Sequence, residues 1–215
     1  MTSWASAAST RKTLGALSLL ALLIGAAPAH PAAAAGDASG FITDLGSQAI
    51  HIMKDGRLSA ADRRLRFQSL MSEDFDLPKI ARSVLGRYWQ GTSDSEREQF
   101  TSAFADYMAQ MYAARFADYS AESFRVTRQR AESETTTVVS TEITVLTTGQ
   151  SIDVDWRVAK ALDSYKVTDI SAGGASLTRA QREEFSSAVQ RSGGSVSYLI
   201  ERLRTKVTEL ATAAR

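Results

Sequence analysis

"SIDVDWRV", residues 151–158, decides the fold. Ile152, Val154, Trp156 and Val158 fall on one side of an extended chain, and Asp153, Asp155 and Arg157 on the other. Alternation kept up this long predicts a half-buried strand, whose apolar face must cover something. The flanking sequence reads the same way. "SFRVTRQR" (123–130) alternates, and "TTTVVSTEITVLT" (135–147) is rich in β-branched residues, with Val139, Ile143 and Val145 on one face. "TTGQ" (147–150) reads as a hairpin turn and "AKALDS" (159–164) as a short connection to "YKVTDISA" (165–172). Four consecutive strands with short connections predict an antiparallel meander, not βαβ units. Gly173-Gly174 is expected to end the sheet.

Helical periodicity surrounds this sheet. Phe41, Ile42, Leu45, Ala49, Ile52 and Met53 recur at helical spacing, and that helix ends near Gly56. Ser59 and Asp62 form a capping-box pattern before a second helix. Asp76 and Pro78 start a third, which Gly86 stops. Ser93 and Glu96 open the longest helix, 94–119. Its aromatic and Met residues cover more than the ~100° arc a surface helix buries. It therefore packs on two sides, or packs on one and meets a ligand on the other. Thr178 and Gln181 cap a helix running to Gln190, and a last helix carries Val196, Leu199, Ile200, Leu203, Val207 and Leu210 on one face. The expected class is α+β: a curved antiparallel sheet of about four strands, packed with helices that enclose an apolar pocket.

The N-terminus reads as a leader. Arg11 and Lys12 precede the apolar run "TLGALSLLALLIGAA", and Ala27-Pro28-Ala29 is an A-x-A site. A cleavable signal peptide over 1–29 is expected, with cleavage as late as 35 the alternative. Residues 37–215 then form one domain, with 57–95 a helical subdomain set before the long helix and the sheet at 123–172. With no Cys in the chain, export adds no disulfide staple and the cleavage site offers no lipoprotein anchor. Without the leader the chain has 23 basic against 24 acidic residues. That near-neutral balance argues against nucleic acid and against electrostatic adhesion to an anionic membrane.

Catalytic chemistry is poorly supplied. The two His are His30, at the leader junction, and His51, off the apolar face of the first helix. Without Cys and with one useful His, neither a nucleophile triad nor an ordinary zinc site is expected. No P-loop, Rossmann glycine run or EF-hand loop occurs. Asp169 stands out, because alternation puts it with Tyr165 and Val167 on the inward face. It is expected to bond backbone amides at the Gly173-Gly174 turn; the alternative is a general base in a pocket.

"FDLPKIARSVLGRYWQGTSDSEREQFTSAFADYMAQMYAARFADY" (75–119) resembles the central motif of the MlaC family, also called the toluene-tolerance or phospholipid-binding ABC-transporter auxiliary family. Phe75, Asp76, Ile80, Ala81, Leu85, Gly86, Trp89, Phe100, Phe104, Tyr112 and Tyr119 match it. Val167, Asp169, Gly174, Ser176, Leu177, Arg182, Phe185, Gly193, Leu199 and Leu203 match its C-terminal pattern. Gly174-Ala175 departs from the bulkier pair common before "SL". The resemblance implies an NTF2-like cone with added helices. It implies a periplasmic carrier of phospholipid, which agrees with a chain in which no catalytic set, cofactor or metal is expected; docking two different complexes in turn suits a monomer. Such a carrier passes lipid between an outer-membrane lipoprotein–porin complex and an inner-membrane MCE-type ABC transporter, in support of outer-membrane lipid asymmetry. A hopanoid-associated branch leaves polycyclic cargo open, and a pocket enzyme using Asp169 or a ligand-free adaptor are the other readings. On the carrier reading the tail-facing wall is expected from Val139, Ile143, Val154, Trp156, Val158 and Val167 on the sheet, and Leu85, Phe104, Met108 and Tyr112 on helices.

Overall fold

Local capping chemistry sets the helix boundaries. The computed structural model describes residues 37–213, apart from 119–120, 146–148 and 162–163, and the side chains of 112–122 and 213 also lie outside the description. The expected leader and part of the "TTGQ" turn therefore lie outside the described residues. Helix α1 (Ala38–Lys54) starts earlier than its apolar period suggests, because the Asp37 carboxylate caps it by accepting from the Gly40 amide at 2.9 Å. Helix α2 (Ala60–Asp74) starts at Ser59, whose hydroxyl accepts from the Asp62 amide. Helix α3 (Leu77–Leu85) is capped by Asp76 and ends at Gly86, whose φ of 58° suits a residue without a Cβ. A 3-10 turn, Gly86–Trp89, leads into α4 (Asp94–Asp118). There the box is reciprocal: Glu96 accepts from the Ser93 amide, and Ser93 Oγ accepts from the Glu96 amide.

Five strands follow: β1 (Ala121–Ala131), β2 (Thr136–Val145), β3 (Ser151–Ala161), β4 (Ser164–Ala172) and β5 (Ala175–Ser176). They pair antiparallel in the order β1-β2-β3-β4-β5, an open meander. Gly173-Gly174 does not end the sheet. Both residues have positive φ, 56° and 80°, which suits a two-residue hairpin turn, so the chain doubles back to pair Ser176 with Ser171. The "AKALDS" connection is shorter than expected, because β3 continues to Ala161. Helix α5 (Leu177–Arg191) is capped by Ser176, two residues before the expected Thr178; the Ser176 hydroxyl accepts from the Arg179 amide at 3.1 Å. Helix α6 (Val196–Ala213) carries its six apolar residues as expected.

One register shift matters for the site. Arg157 pairs with Asp169, but Val158 pairs with Val167, so Thr168 is an extra residue in β4. This bulge resets the alternation. Val167, Ile170 and Ala172 share the face of Val158, Trp156 and Val154, their cross-strand partners. Asp169 is placed with Arg157 instead, which corrects the expectation that it shares a face with Val167. The outer edge of β4 is also covered. The Asp76 amide donates to the Val167 carbonyl at 2.9 Å, and Lys166 reaches the Glu73 carbonyl.

Helix α4 packs on two sides, against α2 and α6. At its centre Phe100 and Phe104 stack at 5.9 Å, and Phe185 of α5 meets both edge-on at 6.3 and 6.1 Å. This aromatic knot is the solid part of the core. No described helix is long and apolar enough to cross a membrane.

Candidate functional site

The concave face of the sheet does not close onto the helices everywhere. Between them lies a cavity of about 410 Å³, within the range of small-molecule sites. The sheet supplies Phe124, Ile143, Val145, Ile152, Val154, Trp156, Val167 and Ile170. Helix α1 supplies Leu45, Gly46, Ala49, Ile50 and Met53, one face at helical period, and α2 supplies Phe67, Leu70 and Met71. Phe104 and Met108 come from α4. Among the described residues the polar ones that border the cavity are three: Asp169, Thr178 and Gln181. Ile152 is 41% exposed although it lines the cavity, so the cavity reaches solvent there.

Hydrogen bonding keeps the wall dry. The Trp156 indole N–H donates to Thr141 Oγ1 at 2.9 Å, and that hydroxyl bonds the Val154 carbonyl at 3.2 Å. The polar end of Trp156 is thus satisfied inside the sheet, and its ring is left as apolar lining. Phe124 meets that ring edge-on at 6.1 Å. Gly46 makes room for Phe124: a Cβ at this position would stand 2.5 Å from the ring. A glycine mid-helix is unfavourable by about 1 kcal/mol relative to Ala, and the close approach of α1 to β1 is what it permits.

The opposite face of the sheet is polar and paired. Arg157 binds Glu132 through two bonds, at 2.7 and 2.9 Å, and Asp169 at 3.0 Å. The hydrogen bond from Arg157 holds the Glu132 carboxyl below the usual glutamate range. Asp155 accepts from Ser140 Oγ at 2.6 Å, and Arg125 pairs with Glu142 at 3.2 Å. Asp169 is committed more deeply. It accepts from Arg157 Nη1, Ser176 Oγ, the Ile170 amide and the Thr178 amide. A carboxylate has about four lone-pair sites, and four donors use them. Its role is structural, but the partners are Ser176 and the first turn of α5, not the Gly173-Gly174 amides. No lone pair is left for a general base. Among the described residues no cluster of His, Cys, Asp or Glu is placed to hold a metal ion.

Of the ten residues expected on a tail-facing wall, six line the cavity: Phe104, Met108, Ile143, Val154, Trp156 and Val167. Leu85, Val139 and Val158 are buried but sit off the cavity wall, packed in the core. Tyr112 lies outside the described side chains. The wall residues of α1 and α2 lie outside that expectation, although the helical period of Leu45, Ala49 and Met53 is visible in the sequence. Thr178 and Gln181, read as helix-capping residues, border the cavity from the first turns of α5.

The family model for "MlaC protein" matches residues 43–205. The chain belongs to the MlaC family. A phospholipid-binding protein from Ralstonia solanacearum, solved in complex with a phospholipid, shares its fold with a TM-score of 0.71. The two are 20% identical, and the match covers 81% of this chain and 99% of that one. No curated protein matches the chain in sequence.

Proposed function

We propose that the protein is a lipid carrier that takes phospholipid acyl chains into the sheet–helix cavity and leaves the head group at the opening. The observation that carries this reading is the wall: roughly 410 Å³ of space lined by apolar side chains on a stable α+β frame. Membership of a lipid-carrier family, not an enzyme family, supports it, as does the phospholipid seen in the Ralstonia relative. Each methylene moved out of water gains about 0.8 kcal/mol, so a 16-carbon chain left bare in water would be unfavourable by about 13 kcal/mol. A dry cavity cancels most of that. Cavity and bilayer are both apolar, so exchange between them is nearly thermoneutral, and direction comes from the partners or from ATP. A phosphate needs hydrogen-bond partners or water, so it stays outside.

The setting belongs to the same proposal. The leader at 1–29 supports export to the periplasm, where the carrier passes lipid between an outer-membrane lipoprotein–porin complex and an inner-membrane MCE-type ABC transporter. A monomer suits two successive docking partners. Protein recovered from its host without detergent, extracted with organic solvent and examined by mass spectrometry, is expected to yield stoichiometric phospholipid. An empty extract from folded protein would overturn the carrier reading, and a polycyclic lipid would change its cargo.

A further inference from the structure

The methionines of this chain are unevenly placed. Beyond Met1 they are Met53, Met71, Met108 and Met111. The first three of these border the cavity, and each comes from a different helix: Met53 from α1, Met71 from α2 and Met108 from α4. Met111 packs against the core off the cavity wall. Among the described residues, no buried methionine lies away from the cavity. The sheet side of the wall is built otherwise. Ile143, Val145, Ile152, Val154, Val167 and Ile170 are all β-branched, and such side chains are held to few χ1 rotamers. The Trp156 ring is fixed as well, by its bond to Thr141. The cavity thus has one stiff wall and one wall able to change shape. Methionine is unbranched, with three rotatable bonds and a polarizable sulfur, so it fills irregular gaps and adapts to differing partners.

We infer that Met53, Met71 and Met108 set the range of cargo: they let the helix wall re-form around acyl chains of different shape, so straight and bent chains load alike. The inference rests on the carrier reading and adds a cargo class to it, phospholipids of mixed saturated and cis-unsaturated chains. A wall of fixed shape would separate such chains, since a one-methylene mismatch in an apolar pocket is worth about tenfold or more.

The test uses two phosphatidylcholines of identical composition. Dioleoyl chains are bent by a cis double bond, and dielaidoyl chains are straight, with a trans one. The protein, stripped of lipid, is offered both in equal amounts in mixed vesicles. One lipid carries a deuterated choline, so mass spectrometry of the extract counts each. The unaltered protein is expected to load the two within about twofold of each other. The triple variant Met53→Leu, Met71→Leu, Met108→Leu nearly conserves volume and apolarity, which cores tolerate. It is expected to load the bent lipid about fivefold less than the straight one. The three single variants are expected to shift the ratio the same way in smaller steps, and they decide the matter if the triple variant does not fold. Met111→Leu is the control and is expected to leave the ratio unchanged. A ratio unmoved by the cavity substitutions would overturn the inference and leave the carrier reading intact. So would an equal shift in Met111→Leu, or strong discrimination by the unaltered protein. Loading of neither lipid by the unaltered protein would overturn both.

Discussion

Val154→Glu is expected to fold and to lose its lipid. Val154 is buried, yet it borders the cavity, so a carboxylate there points into a space that water can fill once lipid has left. Holding an acyl chain against an ionised carboxylate would require burying the charge without a partner, at several kcal/mol. That cancels a large share of what the chain gains by leaving water. Lipid retention is expected to fall below about a tenth of the unaltered level, with a melting temperature within a few degrees. Lipid extraction and a thermal melt on the same sample check it. Val158→Glu separates this effect from damage to the core. Val158 is on the same face of β3 but packed solidly, 1% exposed and away from the cavity wall. Its carboxylate would have no water to meet, and a penalty of several kcal/mol is comparable to the whole stability of a domain. Val158→Glu is therefore expected to misfold, not to empty.

Asp169→Ala is expected to loosen the joint between sheet and α5. It removes the common acceptor of Arg157, Ser176 and two backbone amides. Arg157 keeps Glu132, which limits the loss. The others lose a charged acceptor where water has little access, and unmade buried hydrogen bonds cost about 1–3 kcal/mol each. A net loss of about 2–4 kcal/mol corresponds to a fall of about 5–15 °C in melting temperature. Asp169→Asn, which still accepts, is expected to lose less. Equal falls for both variants would show that charge, not hydrogen bonding, holds the joint.

The sheet was legible because its alternation is local. "SIDVDWRV" names its two faces without reference to anything else, and the β-branched run of β2 pairs with it residue for residue. The α4 aromatic pattern likewise announced a helix engaged on two sides, and left open whether the second side meets protein or a ligand. The bulge was not legible. "YKVTDIS" alternates equally well with or without Thr168 set aside, and only pairing with β3 shows that it must be. The two-residue β5 is too short to carry a pattern, though Gly-Gly is a hairpin signal and marked the place. Separating cavity from core was beyond the sequence for a physical reason. Val154 and Val158 are the same residue on the same face of one strand. What differs is whether a helix side chain reaches across to fill the space in front of them, which is a property of the packing. Gln181 shows the same limit, since its spacing from Thr178 fits a surface turn as well as a residue bordering the cavity.

The central claim is that lipid tails lie in this cavity. Trp156 lines it and reports on it directly. With Trp4 and Trp89 replaced by Phe, Trp156 is the sole tryptophan of the chain. Bromine quenches indole fluorescence only at close range, so phospholipid brominated along its acyl chains is the probe. Loading that lipid is expected to quench Trp156 strongly, while the same lipid without bromine leaves the emission bright. Stoichiometric loading of the brominated lipid with no quenching would place the tails elsewhere and contradict the account.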